Sequence, residues 1–279
     1  MATRKTKHGL LLTTIFSIIA FLYVCPIVIV CINSFKKKAY ISKRPFQFPN
    51  EKMYVGLENY ISGIEKTGFF QAFGYSLFIT LASTALIIIC TSMCAWFITR
   101  VKNKFTAGIY YLCLFSMIVP FQMVMFTLSK VANMLHLSNP LGIVIVYLGF
   151  GAGLSVFMFC GFVKSIPLEI EEAAMIDGCN PLQTFFQVVF PILKPTAITV
   201  AILQVMWIWN DYLLPYLVLD MKKYKTIPIA IQYLRGGYGS IDMGAMMAML
   251  VLAIIPIIIF YLACQKHIIE GVVAGAVKG

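Results

Sequence analysis

The chain has 279 residues, of which 60% are hydrophobic and only 12% charged, and its formal net charge is +11. A soluble domain of this size carries about a quarter charged residues, so a water-facing globule is excluded and lipid is the expected solvent. The positive balance fits loops beside anionic headgroups, and no nucleic-acid motif accompanies it, so no nucleic-acid partner is expected.

A span needs about 20 apolar residues. In chain order the charge-free stretches are Gly9–Phe35, Thr67–Thr99, Phe105–Ser129, Val131–Val163, Pro195–Asn210 with its continuation past Asp211 to Leu219, and Met243–Gln265. They predict an all-α membrane protein with six transmembrane helices in a single domain over 1–279. The spans fall near 10–34, 70–99, 106–128, 140–163, 196–218 and 243–265. The first run follows a basic start, Arg4, Lys5 and Lys7, but it is too long for a signal peptide and lacks a small-residue cleavage site, so it is read as a retained span. The eight cysteines show no C-x-x-C or ligand spacing and are read as small packing residues.

Six spans put both termini on one side. With that side inside, the inner segments hold ten Lys and Arg and the outer ones twelve, so charge counting leaves orientation open. The segment from Lys36 to Lys66 is the most basic. It is read as solvated loop charge, with attraction of an acidic binding protein or an acidic sugar as the other reading.

The segment from Lys164 to Lys194 differs from the rest. Glu169, Glu171, Glu172 and Asp177 fall within nine positions, and a glycine and three prolines follow. Ser165 is a candidate N-cap with Pro167 in the first turn, and the glutamates sit near the positive end of the helix dipole. Gly178 suits a left-handed helix stop. Asn180 and Pro181 start a second helix that carries Leu182, Phe185, Phe186, Val188 and Val189 and ends at Pro191. Two short helices joined by a tight turn, over 165–195, are expected. By physics alone they serve as a plain link or as a dock for a partner.

The spacing decides between these by resemblance. Glu172-Ala173-Ala174, three residues, Gly178, nine residues, then Val188-Val189-Phe190-Pro191 resembles the Glu-Ala-Ala signature of the membrane subunits of binding-protein-dependent ABC importers. Val188 and Phe190 stand where that family has Ile and Leu. "WIWNDYLLPYLVL", Trp207 to Leu219, and "VVAGAVKG", Val272 to Gly279, resemble the six-span, maltose-type permeases of its sugar-importing branch. The resemblance implies a cytoplasmic coupling loop in which Glu172, Ala173, Ala174, Asp177, Gly178, Leu182, Phe185 and Pro191 meet an ATPase. It implies a homologous second permease, two ATPase subunits that hold ATP and Mg, and an extracellular solute-binding protein. It further implies a sugar or oligosaccharide substrate and a bacterial or archaeal cell membrane with both termini cytoplasmic. The other readings are an ion-coupled secondary transporter and an importer of a non-sugar solute such as a glycerol phosphate ester.

No cofactor is expected on this chain. It lacks a G-x-x-x-x-G-K-[ST] phosphate loop, a G-x-S-x-G elbow and an H-E-x-x-H zinc motif, so neither a catalytic residue nor a metal site is predicted. For the substrate path, Trp207, Asn210 and Asp211 are candidates, with Gln204 weaker. Polar groups inside spans face a bundle interior or a watery cavity, and aromatic faces beside hydrogen-bonding groups suit a sugar. An interfacial aromatic belt is the other reading. The glycine-rich stretch Gly236, Gly237, Tyr238, Gly239 matches in position a loop that reaches the docked binding protein in the maltose-type relatives; a flexible linker is the plain alternative. Gly244 and Ala248 have the small-x-x-x-small spacing of close helix contacts.

Overall fold

The apolar runs fold as helices. A computed structural model describes the backbone of residues 9–234 and 241–276. An isolated antiparallel bridge pairs Lys36 with Tyr54. The helices are α1 (Gly9–Ser34), α2 (Lys38–Lys43), α3 (Glu58–Thr67), α4 (Phe69–Arg100), α5 (Lys104–Ile118), α6 (Phe121–Met134), α7 (Pro140–Val163), α8 (Leu168–Ile176), α9 (Pro181–Gln183), α10 (Phe190–Asn210), α11 (Leu213–Val218), α12 (Ile227–Gln232) and α13 (Met243–Ala276), with a π-helical turn at Thr184–Val189. Gly9–Ser34, Phe69–Arg100, Pro140–Val163, Pro181–Asn210 and Met243–Lys266 are each long and apolar enough to cross a membrane. The α5–α6 pair, bent by 108°, makes a sixth crossing if counted as one.

Three helix boundaries differ from the sequence reading. The continuous third span over 106–128 is broken. Pro120 removes a backbone donor and forces its predecessor out of the helical region, and Val119 accordingly sits at φ −71°, ψ 115°. The span over 196–218 breaks at Asp211, which is extended at φ −73°, ψ 123°. The second loop helix does not stop at Pro191. It runs on through the π turn and α10 as one rod, Pro181–Asn210. A proline ring crowds the carbonyl four residues back. The wider π turn just before Pro191 relieves that crowding, so the helix continues.

By contact the chain divides into two units. One comprises Met1–Phe70 and Ala230–Pro256. Here the basic loop folds back on the end of α1. Lys36 is fully buried, and its ammonium donates to Asn33 Oδ1 at 2.9 Å and to the carbonyls of Arg44 at 3.0 Å and Pro45 at 3.3 Å. Burial pushes the Lys36 amine below its usual value. This lysine is therefore not solvated loop charge, because its three donors staple the loop from inside. Asn59 donates to the carbonyls of Ser34 and Lys36 at 2.8 and 2.9 Å, which brings α3 against the same corner. α3 then packs on the start of α13. A Cβ on Gly244 would lie 2.3 Å from Asn59 Oδ1, and one on Gly63 would lie 2.7 Å from Met249 Cε. Gly244 thus meets α3, and Ala248, the other small residue of that spacing, is fully buried.

The other unit comprises Gln71–Ile229 and Ile257–Gly279. α7 is its central helix. Asn139 caps it by accepting from Leu141 and Gly142 N–H, with Pro140 as its first residue. Gly151 and Gly153 let neighbours in. A Cβ on Gly151 would meet Ile87 Cδ1 of α4 at 2.5 Å, and one on Gly153 would meet the Cys113 carbonyl of α5 at 2.7 Å. Toward the α7 C-terminus one core joins Ala95, Phe159, Val163, Phe185, Val189 and Leu193. Toward its N-terminus another joins Ile79, Ile143, Tyr147, Ile208 and Leu214.

Candidate functional site

The polar loop is built at the C-terminal end of α7. The Ser165 hydroxyl donates back to the Phe162 carbonyl at 2.7 Å, so it finishes α7 and does not cap α8. Pro167 takes the N-cap position without a side-chain bond. At the other end of α8, Gly178 adopts φ +90°, a conformation that a side chain disfavours. Asn180 and Gln183 then form a reciprocal capping box, each side chain accepting the other's backbone N–H at 2.9 Å.

The structure gives a site role to a residue that the sequence placed only at the helix N-terminus. Glu171 is 1% exposed. Its Oε2 accepts from the Trp96 indole at 2.9 Å, and its Oε1 accepts from Arg100 Nε at 3.0 Å and Nη2 at 2.7 Å. Arg100 Nη2 also donates to the Ile166 carbonyl at 2.9 Å. α8 is therefore fastened to the last turn of α4 by a charged, forked contact. The available signal was the i, i+4 pairing of Trp96 and Arg100 on one helix face, together with two more glutamates, Glu169 and Glu171, than the signature needs.

With Glu171 turned inward, α8 presents Glu172 and Ala173 outward, while Ala174 is buried. Asp177 and Gly178 are exposed. Met175, Ile176 and Leu182 leave 47%, 85% and 59% of their surfaces open, an apolar patch across the turn. Phe185 lies elsewhere. It is fully buried, its ring 5.5 Å from Trp96 and 5.0 Å from Phe186, so it belongs to the core beneath the loop. Pro191 is exposed on the continuing helix.

The substrate-path candidates separate. Trp207 and Asp211 both meet Tyr147 of α7. The Tyr147 hydroxyl donates to Asp211 Oδ2 at 3.1 Å, and its ring meets Trp207 edge-on at 5.4 Å. Asp211 Oδ1 accepts from the N–H groups of Leu213 and Leu214 at 3.0 and 3.3 Å. It thus satisfies the donors that the broken helix frees at the start of α11. Gln204 is buried in the α7–α10 seam, donating to Ser155 Oγ at 3.1 Å and toward the Gly151 carbonyl at 3.4 Å. Asn210 is exposed and bonds its own helix through the Met206 carbonyl at 2.7 Å. Tyr147 was not legible as a site residue, since nothing in an apolar run marks one tyrosine. Gly236, Gly237, Tyr238 and Gly239 lie outside the described residues. Among the described residues no cluster of His, Cys, Asp and Glu is arranged to hold a metal.

Comparison with known proteins then decides what this scaffold is. Residues 87–273 match the family described as "Binding-protein-dependent transport system inner membrane component". The chain belongs to that family. As a binding-protein-dependent permease component it is a multi-pass membrane protein, and it is not itself the catalyst of the transport system. It is 38% identical over 268 residues, 96% of each chain, to the "probable starch degradation products transport system permease protein" of Thermoanaerobacterium thermosulfurigenes. It is 34% identical over 261 residues, 92% of each chain, to the "multiple sugar-binding transport system permease protein" of Streptococcus mutans. The permease fold is similar, with a TM-score of 0.79 and 22% identity, to a chain of "a bacterial ABC transporter involved in the import of the acidic polysaccharide alginate", covering 95% of this chain and 98% of that one.

Proposed function

We propose that this permease is one membrane subunit of an ATP-driven importer that carries a sugar or oligosaccharide handed over by an extracellular solute-binding protein. It pairs with a homologous second permease and works with two ATPase subunits, which hold ATP and Mg. The observation that carries the reading is the relative named for starch degradation products, matched over 96% of both chains. In this reading both termini and the 165–195 loop face the cytoplasm of a bacterial or archaeal cell.

The loop is proposed as the contact with the ATPase. Glu172, Ala173, Asp177 and Gly178 lie on its outer side, and Ile176 and Leu182 offer apolar area for a pocket on the partner. Ala174, Phe185 and Pro191 support the contact from beneath or behind. The Glu171–Arg100 pair fastens the dock to α4, which gives a route for motion into the membrane helices. Trp207, with Tyr147 and Asp211 around it, is proposed as a wall of the sugar path. Gln204 sets the seam behind it, and Asn210 lies on the rim. Gly236 to Gly239, with Tyr238 as the contact residue, are proposed to meet the binding protein.

Reconstitution with the co-purifying subunits tests the whole. Uptake of a labelled maltooligosaccharide should require both ATP and the binding protein. Uptake that runs on an ion gradient without ATP refutes the reading. Ile176→Asp with Leu182→Asp should remove the ATPase from the purified complex while leaving the permease in the membrane.

A further inference from the structure

A cavity of about 440 Å³ opens where α4 ends, α5 begins and α7 ends, a size typical of small-ligand pockets. Its mouth carries three lysines from two separate segments, Lys102 and Lys104 at the α4–α5 turn and Lys164 at the end of α7. No acidic side chain lines it. The two ion pairs found among the described residues are Arg100–Glu171 and Lys66–Asp242, so none of the three lysines is neutralised by a carboxylate there. The wall behind them is mainly apolar and aromatic, with Ile98, Ala107 and Tyr110. α5 starts at this mouth with Asn103 as its cap, so the positive end of a 15-residue helix adds to the lysine charge.

A cationic mouth over an apolar wall between membrane helices selects an amphiphile with a negative head and a greasy tail. A free anion would use the lysines and leave the wall wet. A neutral sugar would leave the charge unmatched. We propose that this cavity binds an anionic glycerophospholipid, with the phosphate held by Lys102, Lys104 and Lys164 and the start of an acyl chain lying along Ile98, Ala107 and Tyr110. Basic pockets between helices at a membrane surface take phospholipid headgroups in this manner. The site adjoins the Arg100 end of α4, so an occupied pocket steadies the helix turn to which the polar loop is fastened.

The test uses the full-length chain in its purified membrane assembly, returned to nanodiscs of phosphatidylglycerol and phosphatidylcholine in equal amounts. Lipid retained after detergent extraction is counted by native mass spectrometry. The wild type should keep phosphatidylglycerol over phosphatidylcholine, and the Lys102→Ser, Lys104→Ser, Lys164→Ser variant should lose that preference by about tenfold or more. The matching Arg variant should keep it, which separates lost charge from lost folding. Removing Lys37, Lys38 and Lys52, an equal charge elsewhere, should change nothing. Equal retention of both lipids by the wild type overturns the proposal, as does undiminished preference in the Ser variant. Displacement of the lipid by inorganic phosphate alone makes this a phosphate site and also overturns it. So does a cavity closed to lipid by a neighbouring subunit in the assembly.

Discussion

At the residue scale, the two charged side chains buried among the described residues, Glu171 and Lys36, behave oppositely. Glu171 is matched by Arg100 and by the Trp96 indole, whereas Lys36 meets neutral oxygens alone. Removing one partner of a buried pair strands the other, at a cost of about 3–5 kcal/mol, and less where the survivor is partly solvated, as Arg100 is with 20% of its side chain exposed. Glu171→Ala should therefore lower the unfolding temperature in detergent by several degrees. In the reconstituted importer it should cut uptake more than ATP hydrolysis. If uptake and hydrolysis fall in proportion, the pair has no part in coupling. For Lys36 the sign follows from linkage. Burial lowers its folded-state pKa from 10.5, so the unfolded chain binds the proton more readily and stability rises with pH between the folded value and 10.5. Unfolding temperatures should show the wild type gaining on Lys36→Met as the buffer moves from neutral toward that value. Neither residue was legible as special in the sequence. A lysine in a run of three and a glutamate in a run of acids are told apart only by what packs over them.

At the element scale, most of the helices were legible because apolar length is a strong signal, while their interruptions depended on single residues. Pro120 ended α5 in the middle of a predicted span, and Asp211 ended α10. Pro191, the proline expected to stop a helix, did not, because the π turn before it widened the path. The helix seams were less legible still. α7 contains five glycines between Gly142 and Gly161, and the sequence does not say which of them face a neighbour. The geometry separates them. A methyl group on Gly153 would meet a backbone carbonyl at 2.7 Å, while Gly149 and Gly161 have open space. Gly153→Ala should destabilise the bundle by about 1–3 kcal/mol through overpacking. Gly161→Ala should be neutral or stabilising by about 0.5–1 kcal/mol, since it only stiffens a helix. Thermal unfolding of the two variants beside the wild type reads the difference, and similar effects would mean that the α5–α7 seam is looser than described.

For the whole molecule, fold class and family were legible, the first from composition and the second from the spacing between Glu172 and Pro191 with the residues after it. Sidedness was not, because the ten inner and twelve outer Lys and Arg nearly balance, and leaving out the buried Lys36 still sets ten against eleven. The half-buried Cys179 in the polar loop offers a direct test. A membrane-impermeant maleimide should label it in inverted vesicles and not in sealed right-side-out cells. Labelling from outside the cell would reverse the proposed orientation.

The π turn at Thr184–Val189 also bears on how the chain tolerates changes in its length. A π turn holds one residue more than the α-turn it replaces, and the helix on either side keeps its facing. It is thus a point in the 30-residue rod Pro181–Asn210 where a single codon can be lost without turning the loop away from Arg100. The ring of Pro191 opposes that loss, because a closed α-turn would press it against a carbonyl. A one-residue deletion and the replacement of Pro191 should therefore be accepted as a pair, with the deletion alone the costlier change.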